Sequence, residues 1–150
     1  MKLLSILILL AAMATASVAA PSAIEYKSVG AEPVVAYDAP GTKGRKVFVA
    51  PRGMPVEVVL TYGDWTKVRD SAGDLYWLES KSLSPKRMVI VKVAGSKVRA
   101  AAEDGSAPVF SADKGVLLEL LEPGKTAWLK VRHRDNLLGY VKANEVWGND

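Results

Sequence analysis

The sequence predicts an all-β chain of two small barrels in tandem, about five strands each and closely packed. Three observations carry this. Gly53 to Leu83 returns, altered but readable, at Gly115 to Val146. Each copy is a series of short runs with a two-residue apolar period, cut by turn residues. Neither a Gly/Ser-rich linker nor an amphipathic helical pattern of useful length separates the copies, so a fixed arrangement of the two is expected.

In chain order, Met1-Lys-Leu-Leu-Ser-Ile-Leu-Ile-Leu-Leu-Ala-Ala-Met opens with one positive charge and an apolar run, and Ser17-Val-Ala supplies small residues at a peptidase site. This is the pattern of a secretory leader over residues 1–19, too short to span a bilayer. A cut after Ala19 avoids placing Pro21 at the new N-terminus. The first domain is expected over 20–85 and the second over 86–150. Ile24 to Val29 reads as a lead-in strand and Val34 to Tyr37 as the next, and Asp38-Ala-Pro-Gly-Thr-Lys-Gly is a loop by composition. Val47-Phe-Val runs into the turn Ala50-Pro-Arg-Gly. Val56, Val58 and Leu60 alternate with Glu57, Val59 and Thr61. Tyr62-Gly63-Asp64 turns the chain into Trp65-Thr-Lys-Val-Arg, and Asp70-Ser-Ala-Gly-Asp is a hairpin turn in which Gly73 takes a left-handed position at low steric cost. Leu75 to Leu78 returns. Single helical turns fit near Ser80-Lys-Ser-Leu and Ala143-Asn-Glu-Val. Met88-Val-Ile-Val-Lys-Val opens the second copy as an apolar strand, and from there the matches run in register: Glu57 with Glu119, Trp65 with Trp128, Arg69 with Arg132, Trp77 with Tyr140, Leu83 with Val146.

These segments resemble the bacterial SH3 (SH3b) domains, here as a tandem pair. In the first copy Val34-Val-Ala-Tyr-Asp-Ala-Pro-Gly-Thr fits the family's first strand and turn, Gly53 its glycine, Trp65 to Arg69 its Trp-x-Lys-Val-Arg segment, and Trp77-Leu78 its closing strand; Tyr76 stands where the family usually has Gly. In the second, Val98-Arg99, Gly115, Trp128 to Arg132 and Gly139-Tyr140-Val141 fit, while the turn Ala100-Ala-Ala-Glu-Asp-Gly lacks the proline. The resemblance implies SH3-like barrels and peptidoglycan as the target, since such modules often bring cell-wall hydrolases to stem peptides or cross-bridges. Ala36-Tyr37-Asp38-Ala39 is also similar to the Ala-Leu-Tyr-Asp-Tyr segment of eukaryotic SH3 domains. The second tyrosine and the later proline and tyrosine of their groove are missing, leaving Tyr37, Asp38 and Trp65 as a reduced surface for an extended peptide.

Composition excludes several classes. There is no cysteine, hence no disulfide, zinc-thiolate site, thiol nucleophile or lipidated leader. His133, the only histidine, lies in Arg132-His-Arg-Asp, where a surface turn residue is expected; a metal site or a serine–histidine relay has no partners for it. Asp64, Asp70 and Asp74 sit at turns, where aspartate bonds its own backbone. Glu57 and Glu119 point outward from strands. No phosphate loop and no paired carboxylate site is present, so no enzyme activity, cofactor or metal is expected. The net charge of +4, about +3 without Lys2, selects no partner. The cluster Lys43-Gly-Arg-Lys46 reads as a solvated loop, and a dense basic patch with interleaved aromatics, as nucleic acid requires, is missing.

Aromatic side chains are therefore the binding candidates, because rings stack on sugars and peptides at little entropic cost. Tyr37, Asp38, Tyr62, Trp65 and Trp77 are the expected ligand-binding residues, with Trp77 and Tyr140 also suited to core packing. The altered turn of the second copy favours the first as binder. The expected function is an exported, non-enzymatic protein that recognises peptidoglycan or an envelope peptide, in the periplasm, without a membrane span in the mature chain. The alternative is a protein–protein scaffold without wall affinity, for which a flat apolar patch near Val89 to Val93 would speak.

Overall fold

The computed structural model describes residues Ala16, Ser17 and 23–149, so all but two residues of the expected leader lie outside the described residues. The chain forms two seven-stranded antiparallel sheets. The first contains β1 (Tyr26–Val29), β2 (Val34–Tyr37), β3 (Lys46–Ala50), β4 (Pro55–Tyr62), β5 (Trp65–Arg69), β6 (Leu75–Glu79) and β7 (Leu83–Ser84), in the order β3-β2-β6-β5-β4-β1-β7. The second contains β8 (Met88–Val91), β9 (Ser96–Arg99), β10 (Pro108–Ala112), β11 (Leu117–Leu120), β12 (Trp128–Arg132), β13 (Leu138–Lys142) and β14 (Val146–Trp147), in the corresponding order β10-β9-β13-β12-β11-β8-β14. Each sheet has two strands more than the five expected. One source is the closing strand, only two residues long and preceded by a 3-10 turn (Ser80–Ser82 or Ala143–Glu145). So short a strand leaves no periodic trace in a sequence.

The register matches the repeat pair by pair. Glu57 faces Arg69 and Glu119 faces Arg132; Lys67 faces Trp77 and Lys130 faces Tyr140; Val29 faces Leu83 and Val91 faces Val146. The repeated glutamate and arginine form the same cross-strand ion pair in each sheet, Arg69 Nη1 to Glu57 at 3.2 Å and Arg132 Nη2 to Glu119 at 2.9 Å. Such directly opposed opposite charges stabilise a ladder modestly. The repeated glycine has a backbone cause: Gly53 and Gly115 have φ of 79° and 94° and donate to the carbonyls of Val29 and Val91. A side chain would be strained there.

Two-residue alternation sends one face of each sheet inward. In the first module Val29, Ala36, Ala50, Met54, Val56, Val68, Tyr76 and Leu78 form the core. In the second it is Val89, Val91, Val98, Ala112, Leu118, Leu120, Leu129, Val131, Val141 and Val146. The expected alternation in β4 holds at its start, where Val56 is fully buried, and breaks at an irregularity between Val58 and Leu60, beyond which the strand runs into solvent.

Contacts across the junction join the sheets. Tyr26 meets the Trp147 ring edge-on at 5.4 Å, the Arg87 guanidinium lies 5.3 Å over Tyr26 while donating to the Gly148 carbonyl, and the Ser28 hydroxyl donates to the Lys86 carbonyl. The outward faces of β1 and β8 are thereby partly covered. This is why Met88 to Val91 reads as continuously apolar.

Candidate functional site

Residues directly opposite on paired strands share a face. Tyr62, Trp65 and Glu79 make one cross-strand row, and Tyr37, Trp77 and Lys67 make the next. Four of the five expected residues thus occupy one face of the first sheet, and the fifth, Asp38, begins the loop beside it. They play different parts. Tyr37 is 9% exposed and meets the Trp65 ring edge-on at 5.5 Å. Trp65 is half-buried, and together with the loop residues Ala39, Pro40, Gly41, Thr42, Lys43 and Gly44 it lines a cleft of about 690 Å³. Tyr62, 67% exposed, stands at the tip of the β4–β5 hairpin beside Trp65 and does not line the cleft. Trp77 is half-buried on the outer face, one residue out of phase with the core; Tyr76 takes the inward position instead.

Asp38 shapes the loop. Its carboxylate accepts the Arg45 backbone N–H at 2.8 Å and pairs with the Arg45 guanidinium at 3.5 Å, and its own N–H donates to the Arg45 carbonyl. Gly44 packs against this closure: a Cβ there would lie 3.1 Å from the Asp38 carboxylate and 3.2 Å from the Gly41 carbonyl. The basic cluster is therefore partly committed, with Arg45 held by Asp38 and Lys43 at the cleft wall.

The second module has an equivalent cleft of about 320 Å³, lined by Ala127, Trp128, Lys142, Ala143 and Asn144. Arg99 stands where the first module has Tyr37, and Lys142 where it has Glu79. The Lys142 ammonium lies 5.7 Å over the Trp128 ring and 2.8 Å from the Asp104 carboxylate. That hydrogen-bonded ion pair, with Arg99 adding a smaller attraction, holds the Asp104 carboxyl below its ordinary pKa. Sequence reading missed Glu79, Lys142, Arg99 and Asp104. The strand register puts Glu79 opposite Trp65, Lys142 opposite Trp128 and Arg99 opposite Tyr140, and the repeat alignment is the signal that could have found them.

His133 is in the expected turn, bonded through Nδ1 to Asp135, and its ring packs 5.5 Å from Phe110. Among the described residues no group of three or more metal-ligating side chains occurs, and no helix is long and apolar enough to cross a membrane. The stretch Val89 to Val93 is not a flat exposed patch: Val89 and Val91 are buried by the second core. An exposed apolar run of three, Val47, Phe48 and Val49, lies instead on β3, an edge strand.

Comparison with curated protein sequences finds no match. Among solved structures, NlpC2 of Trichomonas vaginalis is similar at 12% identity and TM-score 0.39, over 85% of this chain and 49% of that one. NlpC1 of Trichomonas vaginalis is similar at 12% identity and TM-score 0.39, over 87% of this chain and 48% of that one. An NlpC/P60 family protein of Bacillus cereus ATCC 10987 is similar at 14% identity and TM-score 0.37, over 81% and 55%. The chain spans about half the length of these proteins. The bacterial SH3 domain family matches residues 30–85, the segment that holds Tyr37, Trp65 and the cleft between Trp65 and the loop 39–44. Residues 30–85 are thus similar to the bacterial SH3 domain family, over the strand, turn and tryptophan motifs of the first module.

Proposed function

We propose that this chain is an exported, non-enzymatic binding protein whose first module recognises peptidoglycan or an extended envelope peptide. The observation that carries the reading is the cleft of about 690 Å³ floored by Trp65 and walled by the loop 39–44. A half-buried indole braced edge-on by Tyr37 is a rigid stacking surface for a sugar or a peptide. Bacterial SH3 domains are binding modules commonly associated with the cell wall, which makes wall material the natural first ligand. In this reading each sheet curls into a small barrel, the domains run over 20–85 and 86–150, and residues 1–19 are the export signal to the periplasm. Tyr62 and Trp77 extend the aromatic surface beyond the cleft, and Asp38 acts by closing the loop.

The test is co-sedimentation of the purified chain with intact peptidoglycan sacculi at low and high salt, beside a folded Trp65→Ala variant. Tyr37 is left intact, since removing a nearly buried ring would confuse binding with packing. Salt-resistant binding weakened about tenfold or more in the variant is expected of a central stacking residue. Binding that salt alone abolishes would reduce the interaction to attraction by a basic surface. Failure to bind at either salt would overturn the wall reading.

A second reading, a protein scaffold without wall affinity, is favoured by the exposed Val47, Phe48 and Val49 on β3. An apolar edge strand is a template for pairing with another chain.

A further inference from the structure

The second module departs from the first where the first is most suited to binding. The tryptophan is kept and each module has a cleft beside it. Around Trp128, however, two positions have become cationic, Arg99 for Tyr37 and Lys142 for Glu79. The loop 100–107 sends Asp104 to Lys142, at 2.8 Å. The loop is held for this reach: Ala100 N–H donates to the Ala107 carbonyl, the Ser106 hydroxyl donates to the carbonyls of Ala101 and Glu103, and the Arg99 guanidinium donates to the Ser106 carbonyl. A carboxylate therefore already sits on the ammonium above the indole, and it belongs to the chain itself. In the first module the corresponding loop carboxylate, Asp38, turns back onto its own loop at Arg45, and the cleft above Trp65 is more than twice as large.

We propose that Trp128 and Lys142 form a second ligand site for a carboxylate, which Asp104 occupies from within, on a loop held by Arg99, and from which a small peptide with a free C-terminal carboxylate displaces it. The chemistry selects this class. Lys142 offers three donors to an anion, and the cation over the ring fixes where the anion sits. Ala127, Ala143 and Asn144, the other residues of the cleft, bring no second charge to it, so Lys142 is, among the described residues, the one ionic partner for a ligand there. Displacement is easy because Asp104 is exposed and an ion pair in water is weak. An intramolecular carboxylate competes with every ligand at constant effective concentration, so its removal must tighten binding. The two modules would then read different parts of one ligand, the first by stacking beside a neutral or cationic stretch and the second by its terminal carboxylate.

The experiment is an NMR titration of the Trp128 indole N–H in the purified chain, with acetyl-Ala-Ala and its C-terminal amide as probes. The indole is assigned from Trp128→Phe. The acid should shift the wild-type signal weakly and bind Asp104→Asn roughly two- to fivefold more tightly, the range set by exposed ion pairs. The amide should leave the signal unmoved in both proteins, and Lys142→Met should abolish the response. All three altered side chains lie at the surface or cleft rim, and signal dispersion verifies folding. Equal binding of acid and amide, or no tightening in Asp104→Asn, would overturn the proposal. So would an unmoved indole in Asp104→Asn at saturating acid.

Discussion

The two modules share a ladder and differ in how they fill it. Between β2 and β6 the first module places Ala36 beside Tyr76, both buried; between β9 and β13 the second places Val98 beside Gly139. The size of one side chain is traded against the other. At Gly139 a Cβ would lie 2.6 Å from the Val98 side chain and 2.8 Å from the Arg99 carbonyl, so the valine and the backbone beside it together call for glycine there. The trade spreads outward. In the first module Tyr76 supplies the ring against Phe48, at 5.5 Å; in the second Gly139 supplies none, and His133 from the adjacent turn packs against Phe110 at the same distance. The single histidine of the chain is therefore a packing residue that stands in for a missing tyrosine. Duplicated modules thus conserve backbone pairing while side chains drift in compensating groups, because ladders fix positions and close packing couples only near neighbours.

The comparison can be broken first at the junction. Trp147 belongs to the second sheet but packs on Tyr26 of the first. Trp147→Ala should cost about 2–3 kcal/mol, below the range for a fully buried tryptophan because this ring is only half-buried. If the modules fold as one unit, urea denaturation will show a single transition shifted as a whole; two transitions, of which only one moves, would show them to be independent. Next in size, Gly139→Ala should cost about 2 kcal/mol by overpacking against Val98 and the Arg99 carbonyl. Val98→Ala with Gly139→Ala, which recreates the alanine of the first module, should cost less than the two single changes added together. Strict additivity in a denaturation cycle would refute the coupled trade.

The smallest effect lies at high pH. Burial pushes the Tyr76 phenol well above its ordinary pKa, and the neighbouring Asp70 carboxylate adds to the shift. In the unfolded chain tyrosine ionises near pH 10, whereas the folded protein keeps the proton. Below that pH the two states bind it equally. Above it the folded state binds more protons, so stability falls as pH rises. Thermal midpoints at pH 8 and pH 11 should therefore separate more in the wild type than in Tyr76→Phe. The second module, with glycine at this position, contributes no such loss; an unchanged separation in the variant would place the alkaline sensitivity elsewhere.

Much of the fold was legible because β structure repeats at short range. The alternation of Trp65-Thr-Lys-Val-Arg, the glycines before β4 and β11, and the hairpin signal at Asp70 to Asp74 are local, and the second copy repeats the first two of them. The site was less legible. Trp77 suits a core as well as a surface, and only the phase of β6, with Tyr76 inward, puts it outside. The pattern suits Tyr37 to the surface, yet it is nearly buried and braces Trp65 edge-on. Tyr62 is exposed as a hairpin tip requires, yet outside the cleft.

By itself, the sequence determined the β class, the duplication, the equivalence of Glu57 with Glu119 and of Arg69 with Arg132, and the aromatic character of the first module. All of these follow from period, turn chemistry and repetition, which act over a few residues. The tertiary structure alone decided that the loop 39–44 lines a cleft with Trp65, that Asp104 reaches Lys142 above Trp128, and that Arg87 and Trp147 clasp Tyr26 across the junction. Those contacts join residues distant along the chain. Their partners are chosen by strand order, loop path and the volume left by neighbours, none of which is written in any one stretch of sequence.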